Sequence, residues 1–549
     1  MADTAPLSEP GCLIGIDVGT GSARAGVFDG AGRLLGTAKR DITLFRGPGA
    51  MVEQSSAEIW EAVAAAVRGA MAAAGVAPER VVGVGFDATC SLVVLCEGGR
   101  PLPVGPSEDP ARDIIVWMDH RAVEQADRIN ATGHPRLAYV GRIISPEMET
   151  PKLLWLKENR PEVFDAAWQF FDLADFLSWR ATGDPARSTC TVTCKWTYVA
   201  HEGRWDADYF HAIGLGELAE EGFARIGTEV LAPGMPVGRG LSARAAAELG
   251  LPEATPVAAG MIDAHAGGIG TVGATGDPAR TMGYVFGTSS CTMTTTPAPV
   301  FVPGVWGPYF SAMVPGYWLN EGGQSAAGAA MDRLIALHPA AAEARARAEA
   351  EGRALPDLLG ALAEAAAGGL SAAVGLADGL HVVPEFLGNR APFADPHARA
   401  VIAGLGMESD LDSLVALYVA GLCGIGYGLR QILAAQAKAG AAIAEVAISG
   451  GAGRSELVRQ LLADACEVPV VATQSDEPVL LGAAILGAVA GGRFADVPAA
   501  MAAMSRPGRR YVPAGGALAE RHAARFGAFE RLQALARDLR AEARGGAAS

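Results

Sequence analysis

The chain has 549 residues, and its 44 Lys and Arg against 60 Asp and Glu give a formal net charge of −16. One hydrophobic core stops growing near ~250–300 residues, so this length predicts two domains of comparable size. Hydrophobic residues make up 50% of the chain and charged residues 19%, which excludes an intrinsically disordered protein. The acidic balance, without a basic cluster, argues against a nucleic-acid partner, so any anion must be bound locally.

We expect neither export nor membrane insertion. Residues 1–10 are polar and acidic and lack the apolar run of a signal peptide. The most apolar segments, 414–429 and 479–492, read as buried core helices, because glycines interrupt one and the other is shorter than the ~20 residues of a spanning helix. The eight cysteines show no C-x-x-C spacing, and the nine histidines form no zinc-type cluster. These features predict a cytoplasmic protein with reduced cysteines.

The first predicted elements form an antiparallel meander around a glycine turn. The segments LIGIDV, AGVFD and LLGTAKRDI read as strands, and the turn GTGSAR at 19–24 follows the first of them. A helix is predicted to run to about Ala74, with Ser56 as its cap and Glu58 in its first turn. An apolar strand at 81–87 comes next. Hairpins followed by a helix and another strand predict a mixed α/β sheet.

The same pattern returns in the second half of the chain. A strand TMGYVF at 281–286 leads into the turn GTSS at 287–290 and a strand CTMTTT at 291–296. We interpret the two turns as a weak internal duplication, although either turn alone is explained by chance in a chain with 70 glycines. The boundary is expected at 267–277, which is rich in glycine. The pattern predicts two similar domains that face each other across a cleft.

Two glycine turns with hydroxyl groups suit a polyphosphate ligand. Glycine lets backbone N–H groups converge on an anion, and Ser or Thr hydroxyls add donors. Asp17, directly before the first turn, is placed to hold Mg²⁺, and Arg24 can add a charge-assisted bond. Asp17 has a second interpretation as a turn-capping residue. A third glycine feature at 448–453, between a strand and a helix that starts near Ser455, favours a nucleotide but is also a common turn.

One motif points elsewhere. Residues 268–273 spell G-x-G-x-x-G, but no strand directly precedes them and 282–296 contains no acidic residue, so a dinucleotide fold is not expected. The chain also lacks the phosphate-loop pattern G-x-x-x-x-G-K-[ST].

Several sequence blocks, in a fixed order, carry a resemblance to a known family. They are GIDVGTGSARAGVFD, GFDATCSLVVL, VWMDHRA, TPKLLWLKEN, CKWTY, MIDAHAGG, GTSSC, VPGVWGPYFSAMVPGYWLNEGGQS, GNRAPFADP and ISGGAGRSEL. Together they resemble the FGGY carbohydrate kinases of the actin and hexokinase ATPase fold, and within them the D-ribulokinase group. The block GFDATC separates this group from glycerol kinases and xylulokinases.

The resemblance implies an α/β protein with two ribonuclease-H-like domains, each a mixed sheet flanked by helices, and an active site in the interdomain cleft. It implies domains at 12–270 and 280–505 and a helical tail at 506–549. The implied reaction transfers the γ-phosphoryl group of MgATP to the terminal hydroxyl of a ketopentose, D-ribulose. L-ribulose and D-xylulose stay open as alternatives, because pocket geometry rather than residue type distinguishes epimers.

The resemblance also implies roles for individual residues. Asp263 of MIDAHAGG is the general base, with a helix cap as its alternative interpretation, and Asp17 and Asp263 are the metal ligands. The phosphate and nucleotide contacts are Gly19, Thr20, Ser22, Arg24, Gly287, Thr288, Ser289, Gly450, Gly451 and Ser455. The sugar contacts are Asp87, Trp117, Asp119, Lys195, Asp263 and Glu321. Ser455 stands where the family commonly has Asn, and Trp117 has a second interpretation as a core aromatic.

Two other classes of function stay open from the sequence. One is a non-catalytic ATPase-fold protein that binds nucleotide, and the other is a dinucleotide oxidoreductase built on residues 268–273. The expected partners are ATP and a small sugar, with no nucleic acid or membrane. A homodimer is left open, and the Ala-, Glu- and Arg-rich stretch at 339–373 is interpreted as a subunit contact or a solvated insertion.

Overall fold

In the computed structural model, which describes residues 11–545, strands and helices alternate through both halves of the chain. The strands of the first half are β1 Cys12–Gly19, β2 Ser22–Phe28, β3 Leu34–Asp41, β4 Phe45–Arg46, β5 Val52–Gln54, β6 Val81–Ala88, β7 Leu92–Cys96, β8 Arg100–Pro101, β9 Ile114–Ile115, β10 Ala167–Asp172, β11 Arg187–Ser188, β12 Val230–Leu231 and β13 Met261–Ile262. Its helices are α1 Ser56–Ala74, α2 Val123–Ala131, α3 Glu149–Asn159, α4 Pro161–Ala166, α5 Leu173–Thr182, α6 Thr189–Lys195, α7 Ala207–Ala212, α8 Gly216–Glu220, α9 Ala243–Leu249 and α10 Asp263–Val272.

The second half contributes a further set of strands and helices. Its strands are β14 Thr281–Phe286, β15 Ser290–Thr296, β16 Trp306–Phe310, β17 Trp318–Gln324, β18 His381–Val383, β19 Val401–Ala403, β20 Glu445–Ser449, β21 Val470–Thr473 and β22 Pro507–Tyr511. Its helices are α11 Gly328–Leu337, α12 Ala341–Ala350, α13 Leu355–Ala367, α14 Leu411–Lys438, α15 Glu456–Cys466, α16 Pro478–Ala490, α17 Val497–Met504 and α18 Ala517–Gly545.

The two main sheets share one strand arrangement. The first has the order β13-β6-β1-β2-β3, in which β1, β2 and β3 are antiparallel and β6 runs parallel to β1. The second has the order β16-β17-β15-β14-β20-β21-β22, in which β14, β15 and β17 are antiparallel and β20 runs parallel to β14. A separate sheet of short strands, β10-β7-β9-β5-β4, extends the first half. This repetition confirms the predicted mixed α/β architecture with two related domains.

Two central helices connect the halves. Helix α16 comes from the second half of the sequence, yet its Leu480 and Ile485 lie in the hydrophobic core of the first half. Helix α10 packs between α16 and strand β14 of the second sheet. Helix α17 also joins the first core through Met501, so part of the segment 280–505 packs with the N-terminal domain.

Glycines make this close packing possible. A Cβ atom added to Gly85 of β6 would lie 1.9 Å from the carbonyl oxygen of Ala483 in α16, and one added to Gly270 of α10 would lie 2.0 Å from that of Pro478. The glycine-rich stretch 267–277, which was expected to be a domain boundary, is therefore largely the buried C-terminal end of α10. The alternative of a dinucleotide site at 268–273 is wrong, because that site requires a turn after a strand and these residues continue a helix.

The cap of α1 is Ser55 rather than the predicted Ser56. Ser55 has extended backbone angles, and its side chain accepts a hydrogen bond from the backbone N–H of Glu58. Ser56 is already helical, and its hydroxyl donates to the buried carboxylate of Asp113 over 2.5 Å. The predicted helix end at Ala74 is confirmed.

The remaining predicted segments pack into the second core. Helix α14 is long and apolar enough to cross a membrane, but 78% of its most apolar window is buried inside the protein. Helix α13 contributes Leu359 and Ala363 to the same core, so the stretch 339–373 is only partly a solvated insertion. The C-terminal tail includes the helix α18 and also the strand β22, which pairs with β21. Residues 1–10 and 546–549 lie outside the described part of the chain.

Candidate active site

A cavity of about 360 Å³ lies between the two halves and is lined by residues from both. Predicted site residues that line it are Asp17, Gly19, Thr20, Arg24, Trp117, Lys195, Asp263, Ser289 and Glu321. Sheet topology explains part of this grouping, because β1 and β6 are parallel neighbours and β13 leads directly into α10. The strand ends therefore bring residues that are far apart in sequence to one edge of the sheet.

Asp263 is the first residue of α10. Its side chain lines the cavity and is otherwise surrounded by protein. Its Oδ1 accepts a hydrogen bond from the backbone N–H of Ala264 over 2.7 Å. Burial and the nearby charge of Asp17 raise the pKa of Asp263 to about 6. A carboxylate with a pKa close to neutral is suited to accept a proton at physiological pH.

Asp87 lies behind this pair and does not line the cavity. It is fully buried opposite Asp17 on the neighbouring strand, and neither carboxyl oxygen has a hydrogen-bond partner among the described residues. Burial and the charges of Asp17 and Asp263 raise the pKa of Asp87 well above its usual range. The predicted contact of Asp87 with a sugar is therefore not supported by its position.

The first glycine turn is held by two side chains. The indole N–H of Trp117 donates to the hydroxyl of Thr20 over 2.9 Å, and the amide of Gln54 donates to the carbonyl of Thr20 over 2.8 Å. Because the Thr20 hydroxyl already accepts from Trp117, its own hydrogen is free to donate into the cavity. Trp117 thus lines the cavity and also packs against the hydrophobic core of the first half.

Arg24 is held by carboxylates from both halves of the chain. Its Nε donates to Asp17 over 2.8 Å, and a terminal nitrogen donates to Glu477, just before α16, over 2.7 Å. The guanidinium therefore orients Asp17 and links the first sheet to α16. Ser22 starts β2 opposite Gly19 and lies outside the set of residues that line the cavity.

The second glycine turn faces the first and is supported from behind. The carbonyls of Gly287 and Thr288 accept backbone hydrogen bonds from the start of α11, whereas Ser289 lines the cavity. A Cβ atom at Gly19 or Gly287 would approach no atom of the described residues closer than 3.7 Å. The space over both turns is consequently open to a ligand.

The third glycine feature lines a second cavity of about 280 Å³, which shares Arg24, Val285 and Val479 with the first. Gly450 has a φ of 95°, and a Cβ atom there would lie 2.4 Å from the carbonyl oxygen of Phe286. Only glycine fits such a position, so the strand turns sharply beside the cavity. Ser455 caps α15 without a side-chain hydrogen bond and does not line this cavity, unlike Gly450 and Gly451.

At the other end of the first cavity, Lys195 and Glu321 lie close to Trp306. The Nζ atom of Lys195 is 5.6 Å from the centre of the Trp306 ring. Burial alone would raise the pKa of Glu321, but the hydrogen bond from His265 and the charges of Lys195 and Arg390 lower it to about 2. Glu321 is therefore a charged acceptor beside a cation, which suits the hydroxyl groups of a polyol.

Sequence reasoning missed three charged or aromatic residues of this cavity, which are Glu147, Trp306 and Arg390. The guanidinium of Arg390 lies 5.8 Å from the Trp306 ring, on the same ring that Lys195 approaches. Arg390 belongs to the block GNRAPFADP, which was a signal for the family but carried no assigned role.

Asp119 was predicted to contact a sugar, and the structure places it elsewhere. It is fully buried, and its oxygens accept hydrogen bonds from the Arg121 guanidinium and from the backbone N–H of Val52 at 2.6–3.0 Å. With both oxygens occupied, Asp119 is a structural ion-pair partner and not a cavity residue.

The donor set fits a magnesium ion held mainly by a phosphate ligand. Mg²⁺ in such sites takes one or two carboxylates and fills its other positions with water and phosphate. Asp17 and Asp263 line the same cavity, and Asp87 lies behind them on the strand next to that of Asp17. Within the described residues, no group of three His, Cys, Asp or Glu could hold a metal by itself.

Comparisons with known proteins agree with this geometry. The "FGGY family of carbohydrate kinases, N-terminal domain" matches residues 12–270, and the C-terminal domain of the same family matches 282–491. An FGGY carbohydrate kinase domain-containing protein from Homo sapiens is 45% identical over 511 residues, which cover 91% of this chain and 92% of the relative. The D-ribulokinase of Saccharomyces cerevisiae is 38% identical over 515 residues, which cover 88% of this chain and 72% of that protein.

A solved structure shows the same fold. The xylulose kinase from Rhodospirillum rubrum matches with a TM-score of 0.80 at 23% identity, and the match covers 96% of this chain and 99% of that one. The non-catalytic alternative is set aside, because family models match both halves of the chain and the relatives include named kinases. The chain belongs to the FGGY family of carbohydrate kinases and is an ATP-dependent sugar kinase.

Proposed function

We propose that this kinase phosphorylates the terminal hydroxyl of a ketopentose, and that D-ribulose is its preferred substrate. The observation that carries the proposal is one cavity that Asp263 lines together with residues of both glycine turns and with Lys195 and Glu321. The similarity to the yeast D-ribulokinase supports the choice of sugar. L-Ribulokinase activity has support from a ribulokinase of Mycolicibacterium smegmatis at 31% identity, so L-ribulose is the second candidate.

In the proposed mechanism the residues of this chain position the two substrates and move one proton. Asp263 accepts the proton of the attacking hydroxyl. The hydroxyls of Thr20 and Ser289 and the amides of the glycine turns donate to the phosphates of ATP. Asp17 and Asp263 would hold Mg²⁺, and the bound ion would supply neutralisation of the phosphate charge. Lys195 donates to sugar oxygens and Glu321 accepts from sugar hydroxyls.

The nucleotide is proposed to extend from the first cavity into the second. Gly450 and Gly451 would face the adenosine, while the shared Arg24 keeps Asp17 in place at the junction. Residues 12–270 would then supply the sugar site and first phosphate turn, and 280–505 the second turn and the nucleotide site. We further propose that the enzyme works in the cytoplasm on small molecules, without nucleic-acid or membrane partners.

The pKa of Asp263 predicts how activity depends on pH. The base must be deprotonated to work, and kcat/KM reports the pKa of the free enzyme. We expect log kcat/KM for the sugar to be flat above a pH near 6 and to fall as pH decreases below it, because the pKa of Asp263 is raised to about 6. A profile that stayed flat down to the ordinary range of an aspartate would contradict this assignment.

Replacement of Trp117 by phenylalanine tests the support of the first turn. An aromatic ring remains, although a smaller one, and the hydrogen bond to Thr20 is lost. We expect kcat/KM for ATP to fall by about 2- to 10-fold, the range for one hydrogen bond. Trp179→Phe is the matched control, since Trp179 lines a different surface groove. Equal kinetics for the two variants would show that the Trp117 hydrogen bond does not organise the turn.

A coupled ADP-release assay over a panel of acceptors tests the proposed substrate. The panel contains D-ribulose, L-ribulose, D-xylulose, a pentitol and glycerol, each at saturating MgATP. The proposal expects the highest kcat/KM for D-ribulose. A higher value for another panel member would replace D-ribulose as the substrate without changing the sugar kinase assignment.

A further inference from the structure

Three side chains form a hydrogen-bonded row behind the sugar end of the cavity. The ring of His265 has its Nδ1 atom 3.1 Å from Sγ of Cys190 and its Nε2 atom 3.4 Å from Oε2 of Glu321. Cys190 and His265 are both fully buried, and neither lines the cavity. Only Glu321, at the end of the row, reaches the cavity.

His265 is the sole hydrogen-bond partner of the Glu321 side chain among the described residues. A glutamate has three side-chain torsions, so one oxygen held by a buried ring fixes a carboxylate that would otherwise sample several rotamers. The second oxygen, Oε1, stays available to a ligand. The orientation of Glu321 therefore depends on where the imidazole ring lies.

The imidazole is in turn held from its other side. Sγ of Cys190 contacts Nδ1 and also accepts the backbone N–H of Ile262 over 3.4 Å. A buried ring with partners on both nitrogens cannot rotate without breaking one contact. Cys190 thereby selects the ring orientation in which Nε2 points at Glu321.

The row also joins the elements that carry the other site residues. Cys190 lies on α6, which ends at Lys195, and His265 lies two residues after Asp263 on α10, whereas Glu321 lies on β17 of the second sheet. The contacts between Cys190, His265 and Glu321 therefore connect the two domains. They set the distance from the Glu321 carboxylate to Asp263 and Lys195.

We propose that His265 and Cys190 are positioning residues that fix Glu321 for a hydroxyl of the sugar and so determine how well the acceptor binds. This inference rests on the proposed function, in which Glu321 contacts the sugar. His265 and Cys190 touch neither substrate and act through Glu321 alone.

Two polar replacements of His265 show whether its hydrogen bond positions Glu321 or whether the ring only fills space in the core. The amide of Gln reaches the place of Nε2, whereas the shorter amide of Asn reaches only the place of Nδ1. We expect His265→Asn to raise KM for the acceptor by at least about tenfold with KM for ATP nearly unchanged, and His265→Gln to stay within about threefold of the wild type. The acceptor used is D-ribulose or, if the panel identifies another sugar, the one with the highest kcat/KM.

A double-mutant cycle with Glu321→Gln shows whether His265 acts through Glu321. In the Glu321→Gln background, His265→Asn should change KM for the acceptor by less than about twofold, because the carboxylate to be positioned is already gone. The same factor in both backgrounds, or equal behaviour of the Asn and Gln variants, would overturn the proposal. Failure of the proposed substrate would appear separately, as a low kcat/KM of the wild type for D-ribulose.

Cys190 supplies a second test that does not alter His265. Cys190→Ser keeps a small hydrogen-bonding group beside Nδ1, whereas Cys190→Ala removes it. Only the alanine variant should therefore raise KM for the acceptor sugar, by about 2- to 10-fold. If His265→Asn fails to fold, the comparison of Cys190→Ser with Cys190→Ala still tests the proposal. Identical KM values of the two Cys190 variants for the acceptor sugar would show that Cys190 does not position His265.

Discussion

Asparagine in place of Asp263 is expected to lower kcat by about 10²- to 10⁴-fold, the usual contribution of a positioned general base. The amide has the same size and can still accept the backbone N–H of Ala264, so α10 should begin unchanged. It cannot take the proton of the sugar hydroxyl. Steady-state ADP release should therefore show a collapse of kcat while KM for ATP and sugar changes only a few-fold.

Asp41→Asn is the matched control for that variant. Asp41 ends β3 of the same sheet, but its side chain is 83% exposed, and among the described residues its ion-pair partner is the exposed Lys39. Its removal should leave kcat and both KM values within experimental scatter of the wild type. A kcat for Asp263→Asn within a few-fold of the wild type would assign the base to another group.

Alanine in place of Gly85 is expected to cause a large loss of stability through a single methyl group. The added Cβ would lie 1.9 Å from the carbonyl oxygen of Ala483, and both atoms belong to backbones fixed in regular elements. The sheet and α16 must move apart, and overpacking of this kind costs about 1–3 kcal/mol or more of the free energy of unfolding. Because Val479 in the first turn of α16 lines both cavities, activity should fall as well.

Thermal unfolding followed by circular dichroism measures this effect, with Gly515→Ala as the control. Gly515 lies in the loop before α18, and a Cβ atom there meets no described atom within 4 Å. The control should unfold at the temperature of the wild type, whereas Gly85→Ala should unfold clearly lower. Equal midpoints would mean that α16 packs less tightly on the first sheet than the distances indicate.

Local patterns in the sequence were sufficient for the parts of the site that a strand and its turn build alone. The turns at Gly19 and Gly287 each follow a short apolar strand. In both cases the strand and its turn can be recognised within about ten residues of sequence. The position of Asp263 at the end of a strand was readable in the same way. Gly19, Asp263 and, from the second turn, Ser289 indeed line the cavity.

Contacts between distant segments explain what could not be predicted. Asp119 resembles a cavity carboxylate in sequence. Its hydrogen-bond partner Val52 lies 67 residues earlier, and no local sequence pattern predicts that hydrogen bond. Helix α16 reads as an element of the second domain, and only its packing on β6 shows that it belongs to the first core. Arg390 and Glu147 enter the cavity from segments with no regular pattern, so periodicity carries no signal for them.

The cavity of this protein of net charge −16 is lined by three cations, which are Arg24, Lys195 and Arg390. Four carboxylates line it as well, which are Asp17, Glu147, Asp263 and Glu321, so any positive charge offered to a polyphosphate is that of individual side chains. Arg24 is neutralised by Asp17 and Glu477, so the cations free to meet substrates are Lys195 and Arg390.

Phosphorus-31 NMR of the reaction mixture tests the central claim most directly. The protein is incubated with MgATP and D-ribulose, and the product resonance is compared with that of a ribulose carrying phosphate on its terminal carbon. The account predicts one new phosphomonoester signal, coupled to the protons of the terminal carbon, that grows as ADP appears and requires both sugar and Asp263. ADP with inorganic phosphate and no sugar ester would contradict it.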